Sequence, residues 1–141
     1  MAKQPINVTA STLTLDRDVH SDTVVTINRA AGCTITLPAS AGNGDEYTIY
    51  CGTTISSNNL IIQVANATDT LAGGVAISTD IAGVTMLCGG TDDTITMSGS
   101  TTGGVAGSWV KLKDVSSGKW MVNGFLASTG SEANPFSAAV S

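Results

Sequence analysis

The chain has 141 residues, 42% of them hydrophobic and only 12% charged, with a formal net charge of −5. That length suits a single domain with a substantial core, no run reaches the ~20 apolar residues of a membrane-crossing helix, and an acidic balance lacks the basic footprint that nucleic-acid binding requires. Aromatic residues are few and Gly, Ser and Thr many, an all-β composition whose core must be built from Val, Ile, Leu, Met and Ala.

Met1 to Thr9 has no clear period and no apolar signal segment. It is expected to be an extended N-terminal arm running to residue 10, with Ile6 as its apolar contact, on a protein made in the cytoplasm. From Ser11 to Val19, Leu13, Leu15, Arg17 and Val19 alternate with Thr12, Thr14, Asp16 and Asp18, the period of a strand. Continued at that spacing, Asp16, Asp18, His20 and Asp22 share one face. Calcium accepts carboxylates and a transition metal accepts imidazole, but a strand spreads the four over ~20 Å. The glycine and terminal glutamate of a calcium loop are also missing, so a solvated face and no bound metal are expected.

Thr23 to Asn28 (TVVTIN) reads as the next strand, Ala30-Ala31-Gly32 as a turn, and Cys33 to Leu37 (CTITL) as a strand stopped by Pro38. The loop Ala39 to Gly44 leads into a strand over Asp45 to Cys51 (DEYTIYC). Leu60 to Ala65 (LIIQVA) is nearly continuous in apolar residues and so central. Asn66 to Gly74 reads as a loop, Val75 to Ile81 as a short strand, and Val84 to Cys88 and Thr94 to Met97 as strands around a Gly/Asp turn. Ser98 to Gly107 (SGSTTGGVAG) is a glycine-rich loop, flexible by composition.

Ala106 to Phe125 (AGSWVKLKDVSSGKWMVNGF) reads as a β-hairpin. Val110 and Leu112 lie opposite Trp109, Lys111 and Lys113; Trp120 and Val122 lie opposite Lys119, Met121 and Asn123. Asp114 to Gly118 supplies the turn, and Gly118 the freedom to adopt positive φ. Trp120 is the expected core anchor, and Trp109 a second anchor or part of a contact surface. Beyond Leu126 the pattern ends, and residues 127–141 are expected to be an extended tail with Phe136 and Val140 as spaced apolar anchors.

About eight to ten short strands with frequent turn signals predict an all-β fold: one antiparallel, jelly-roll-like β-sandwich over residues 11–126 with extended termini. No fixed repeat signals a solenoid. Chemistry is sparse. The three cysteines, Cys33, Cys51 and Cys88, lack CxxC spacing, and Cys33 and Cys51 fall in phase with apolar neighbours, as buried free thiols do. His20 is the only histidine and no GxSxG elbow is present. Asp92 and Asp93, like Asp45 and Glu46, are adjacent and would point to opposite faces of a strand, which disfavours a paired-carboxylate site. Gly42-Asn43-Gly44 precedes a strand and lacks a following Lys-Ser/Thr, so it is no phosphate loop. Neither enzyme activity nor a cofactor is expected.

The segment LDRDVHSDTVVTINRAAGCTITLPASAGNGDEYTIYCGT, with a strand pair ending in TLP before a GxGxxY strand, resembles a run in virion proteins of tailed bacteriophages. IIQVANATDTLAGGV and the closing GSWVKLKDVSSGKWMVNGFLASTG with its PFS tail are similar to the same group, so the likeness spans roughly Leu13 to Ser137. The chain resembles in particular the jelly-roll capsid cement (decoration) proteins of podovirus heads, of the Bordetella phage type. That resemblance implies a non-enzymatic protein on the capsid exterior of the virion, clamping neighbouring major capsid proteins, as a homodimer. The low surface charge fits a life packed against other proteins. The contact elements expected from the residues are Ile6 in the arm, Phe136 and Val140 in the tail, and a patch of Trp109, Lys111 and Lys113. The competing expectation is a trimeric tail-fibre or receptor-binding module that recognises host glycans through Trp109 or Tyr50.

Overall fold

A computed structural model describes residues 3–140; Met1 and Ala2 of the expected arm, and Ser141, lie outside the described residues. In chain order the elements are β1 (Ile6–Val8), β2 (Thr12–Thr14), α1 (Arg17–His20), β3 (Val24–Ile27), β4 (Cys33–Thr36), β5 (Glu46–Cys51), β6 (Leu60–Gln63), β7 (Thr70–Ser78), β8 (Gly83–Leu87), β9 (Thr94–Met97), β10 (Trp109–Ser116), β11 (Lys119–Ala127) and β12 (Phe136–Ser137). They form a seven-stranded sheet ordered β1-β3-β5-β10-β11-β7-β8 and a five-stranded sheet ordered β12-β9-β6-β4-β2. The two sheets enclose one apolar core, the all-β sandwich that the composition predicts.

The expected antiparallel, jelly-roll pairing is corrected. Both sheets are mixed, with as many parallel as antiparallel strand pairs. From β1 to β6 the chain passes from one sheet to the other at every step, so that β1, β3 and β5 pair in parallel in one sheet and β2, β4 and β6 in the other. A parallel pair needs a crossover, and here each crossover contains a strand of the opposite sheet. The result is a three-coil winding. Val8, Ile27 and Cys51 stack in register across it, although unequal lengths of chain separate them. The coil therefore leaves no fixed repeat in the sequence.

Burial follows from register. On the inner face of the five-stranded sheet, Leu13, Ile35, Ile62, Ile95 and Phe136 form one row across all five strands. On the facing sheet Ile6, Val25, Ile49 and Val110 do the same across four. Trp120 is the core anchor its pattern predicts, buried and tilted against Tyr47 with ring centroids 5.9 Å apart.

Both termini are corrected by these rows. The described part of the arm, residues 3–10, contains sheet edge: β1 pairs with β3. The tail folds back as β12 beside β9 and completes the inner row with Phe136. Buried Asp93 holds the residues that follow, its Oδ1 accepting the N–H groups of Ala139 at 2.9 Å and Val140 at 3.2 Å.

Three further expectations change. The strand expected over 11–19 ends at Thr14, because Asp16 caps a single helical turn, its Oδ1 accepting the Asp18 N–H at 2.8 Å. β7 begins at Thr70, inside the expected loop. The glycine-rich 98–107 segment is packed rather than loose: a Cβ on Gly99 would strike the Ile55 carbonyl oxygen, and one on Gly103 would sit 2.6 Å from Leu126 Cβ. Glycine is there for close approach, and both residues have φ of +87°.

The hairpin turn is narrower than expected, because Asp114 belongs to β10 beside a bulge rather than to the turn. Its buried carboxylate gathers the 39–44 loop. Oδ1 accepts the Ser40 hydroxyl at 2.8 Å and the Gly42 N–H at 2.9 Å, and Oδ2 accepts the Ala41 N–H at 2.9 Å. Burial pushes the Asp114 carboxyl up. The hydrogen bonds from Ala41, Ser40, Gly42 and Asn43 outweigh it and hold the group below the usual carboxylate range.

Candidate functional site: the outer face of the larger sheet

Alternation buries one side of each strand and leaves the other to solvent. On the larger sheet the outer side carries an aromatic row. Tyr50 on β5 sits opposite Trp109 on β10, which sits opposite Phe125 on β11. Thr26 extends the row through β3 and Asn7 through β1, while Ala76 and Thr85 extend it through β7 and β8. Adjacent strands are ~4.8 Å apart, so the three rings occupy ~10 Å of continuous surface. Tyr50 and Phe125 are each 39% exposed and Trp109 is half-buried between them. Met121, on the same face, is also exposed.

Charge is kept to one side of this row. Thr48, Lys111 and Asn123 make up the next row, followed by Glu46, Lys113 and Met121. Lys111 Nζ lies 3.5 Å from Glu46 Oε1. The arrangement is an uncharged aromatic strip bordered on one side by the Lys111–Glu46 pair and Lys113, as at protein interfaces, where aromatic residues are enriched and charge is depleted from the centre. Two shallow depressions flank it. One of about 280 Å³ is lined by Asp22, Thr23, Val24, Glu46 and Thr48. The other, of about 510 Å³, lies beside Phe125 between Ala76, Ser78, Gly83, Val84 and Thr85.

The residues singled out from the sequence thus divide. Trp109, Lys111 and Lys113 share the outer face, with Trp109 in the aromatic row and the two lysines on its charged border. Ile6, Phe136 and Val140 pack on this chain's own core and are not free anchors. Phe125 completes the row unpredicted; it is in phase with Met121 and Asn123, so extending the β11 alternation two residues would have found it.

The shared, solvated strand face expected of Asp16, Asp18, His20 and Asp22 is corrected: Asp16 caps α1, Asp18 and His20 lie within its single turn, and His20 is buried. No group of three or more His, Cys, Asp or Glu side chains suited to a metal ion occurs among the described residues. His20 Nδ1 accepts the Asp16 N–H at 2.8 Å. Burial pushes the thiols of Cys33, Cys51 and Cys88 up, the last two to about 11, which disfavours the nucleophilic thiolate. Comparison with family models, with curated proteins and with solved structures finds no match.

Proposed function

We propose that the chain is a structural virion protein that binds the outer surface of a phage capsid and bridges neighbouring major capsid proteins. The observation that carries this reading is the Tyr50–Trp109–Phe125 strip: a broad, flat, uncharged face with charge at its border suits another protein surface better than a small molecule, which calls for a concave pocket. The resemblance of LDRDVHSDTVVTIN and its neighbours to phage virion proteins points the same way. A protein that binds only assembled shell stabilises that shell by mass action.

The test is co-sedimentation with expanded capsids that lack the protein, comparing the wild type with Tyr50→Ala/Trp109→Ala. Saturable wild-type binding that raises the capsid melting temperature, and loss of roughly tenfold or more in affinity for the variant, are expected, because Trp and Tyr are enriched among the residues that carry interface energy. Wild-type protein that fails to bind refutes the reading. A second reading, a glycan-binding receptor module, is favoured by the same rings, whose faces also stack on apolar faces of sugars. Retention on a glycan array through Trp109 would move the assignment there.

A further inference from the structure

The two sheets have unequal reach, and one edge is left open. Of the four sheet edges, β1 and β2 are three residues long, and β12 is two. Such short edges are protected against pairing with other chains, and Pro5 precedes β1. The fourth, β8, is five residues, Gly83–Leu87, and carries no lysine or proline; no charged residue occurs between Asp80 and Asp92. It is also largely exposed, with Leu87 71% accessible and Val84 44%.

The backbone of β8 fixes what could pair with it. Cys88 N–H donates to Gly73 O at 2.9 Å and Thr79 N–H to Ala82 O at 2.8 Å. With the β7–β8 register, these set alternate residues, Ala82, Val84, Met86 and Cys88, as the ones bonded to β7. The N–H and C=O groups of Gly83, Thr85 and Leu87 therefore point away from the sheet. We propose that β8 is a self-association edge, two copies pairing antiparallel through Gly83–Leu87 about a two-fold axis at Thr85.

Parity and shape both support a second copy as the occupant. A two-fold at Thr85 sets Thr85 opposite Thr85 and Gly83 opposite Leu87 of the other copy, so every outward-pointing backbone group meets a complementary one. Val84 then lies beside Met86 of the other copy on the inner side, apolar against apolar. On the outer side each exposed Leu87 lies over the other copy's Gly83, at the edge of the depression of about 510 Å³ beside Phe125. Both copies keep their outer faces on the same side, so the two aromatic strips share one continuous surface. The pairing does not depend on what that surface binds.

Sedimentation of the full chain across roughly 1–200 µM tests it, covering the range of weak to moderate association. The wild type is expected to sediment as a reversible dimer, and Thr85→Lys, which sets two like charges face to face across the axis, to raise the dissociation constant about tenfold or more without changing the melting temperature of dilute, monomeric protein. Thr85→Cys should oxidise to a covalent dimer whose mapped disulfide joins residue 85 to residue 85, because opposed Cα atoms of a hydrogen-bonded pair lie ~5.5 Å apart. A wild-type monomer or trimer, a Thr85→Lys dimer of unchanged affinity, or the absence of an 85–85 disulfide overturns the proposal.

Discussion

Replacing Asp114 with Asn tests the inner architecture most sharply. The carboxylate accepts three hydrogen bonds from the 40–42 backbone and side chain while buried between the sheets. An asparagine would keep its oxygen toward Ser40 and Gly42, where two donors converge, and turn its NH₂ group onto the Ala41 N–H. A buried donor left without an acceptor costs about 1–3 kcal/mol, and bonds to a charged acceptor exceed neutral ones by roughly 1 kcal/mol each. The expected loss is about 3 kcal/mol, or about 10 °C in melting temperature for a domain of this size. The pH dependence carries its own signature. Asp114 titrates lower in the folded state than in the unfolded one, so its stabilisation is complete above the unfolded value near 4 and is lost as pH falls through the folded value. The gap between wild type and Asp114→Asn should therefore be widest at pH 7 and narrow steadily in acid. Thermal melts followed by circular dichroism at pH 7, 4 and 2.5 would show it. A variant that melts within about 2 °C of wild type at pH 7, or a gap independent of pH, would refute the reasoning.

Phe136→Ala should cost about 3–5 kcal/mol by urea denaturation, since the ring closes a five-residue inner row; a loss below ~1 kcal/mol would show that the tail is not part of the core. Removing residues 135–141 should destabilise the fold further by taking two backbone donors from the Asp93 carboxylate and leaving it the Thr94 hydroxyl. The thiols of Cys51 and Cys88, pushed up to about 11, should alkylate slowly at pH 8 in the native protein and rapidly once it is unfolded, as read by mass spectrometry. Prompt native labelling of Cys51 would contradict its burial.

Much of the strand content was legible because alternation reports which face is buried. CTITL, DEYTIYC and the Trp120 hairpin all present their odd or even positions as the pattern requires. Alternation is silent on the direction and identity of a strand's neighbour, which is why five parallel pairs and the three-coil winding were not foreseen. The local chemistry of the Asp16–Ser21 turn overrode a strand pattern that continued through Arg17 and Val19. At the C-terminus the spacing marked Phe136 as an anchor for a partner; it packs instead on the chain's own sheet, which two residues of strand are too few to signal. Of the candidate site, Trp109 and Tyr50 were visible singly. Their alignment with Phe125 depends on registers between β5, β10 and β11 that no single strand encodes.

The alternation of β1 to β6 between the sheets has a consequence for how the chain is made. Neither sheet is assembled from one contiguous stretch, and the open side of the N-terminal coils is covered only by β9 and β10. As the polypeptide leaves the ribosome, its first three coils emerge with their last strands, β5 and β6, lacking neighbours on that side. The two local hairpins, β7–β8 and β10–β11, are the elements able to form quickly, since their contacts are short in sequence. The earliest-made half of the molecule thus waits for the latest-made half, and an exposed strand edge in that interval is a site where nascent chains associate wrongly.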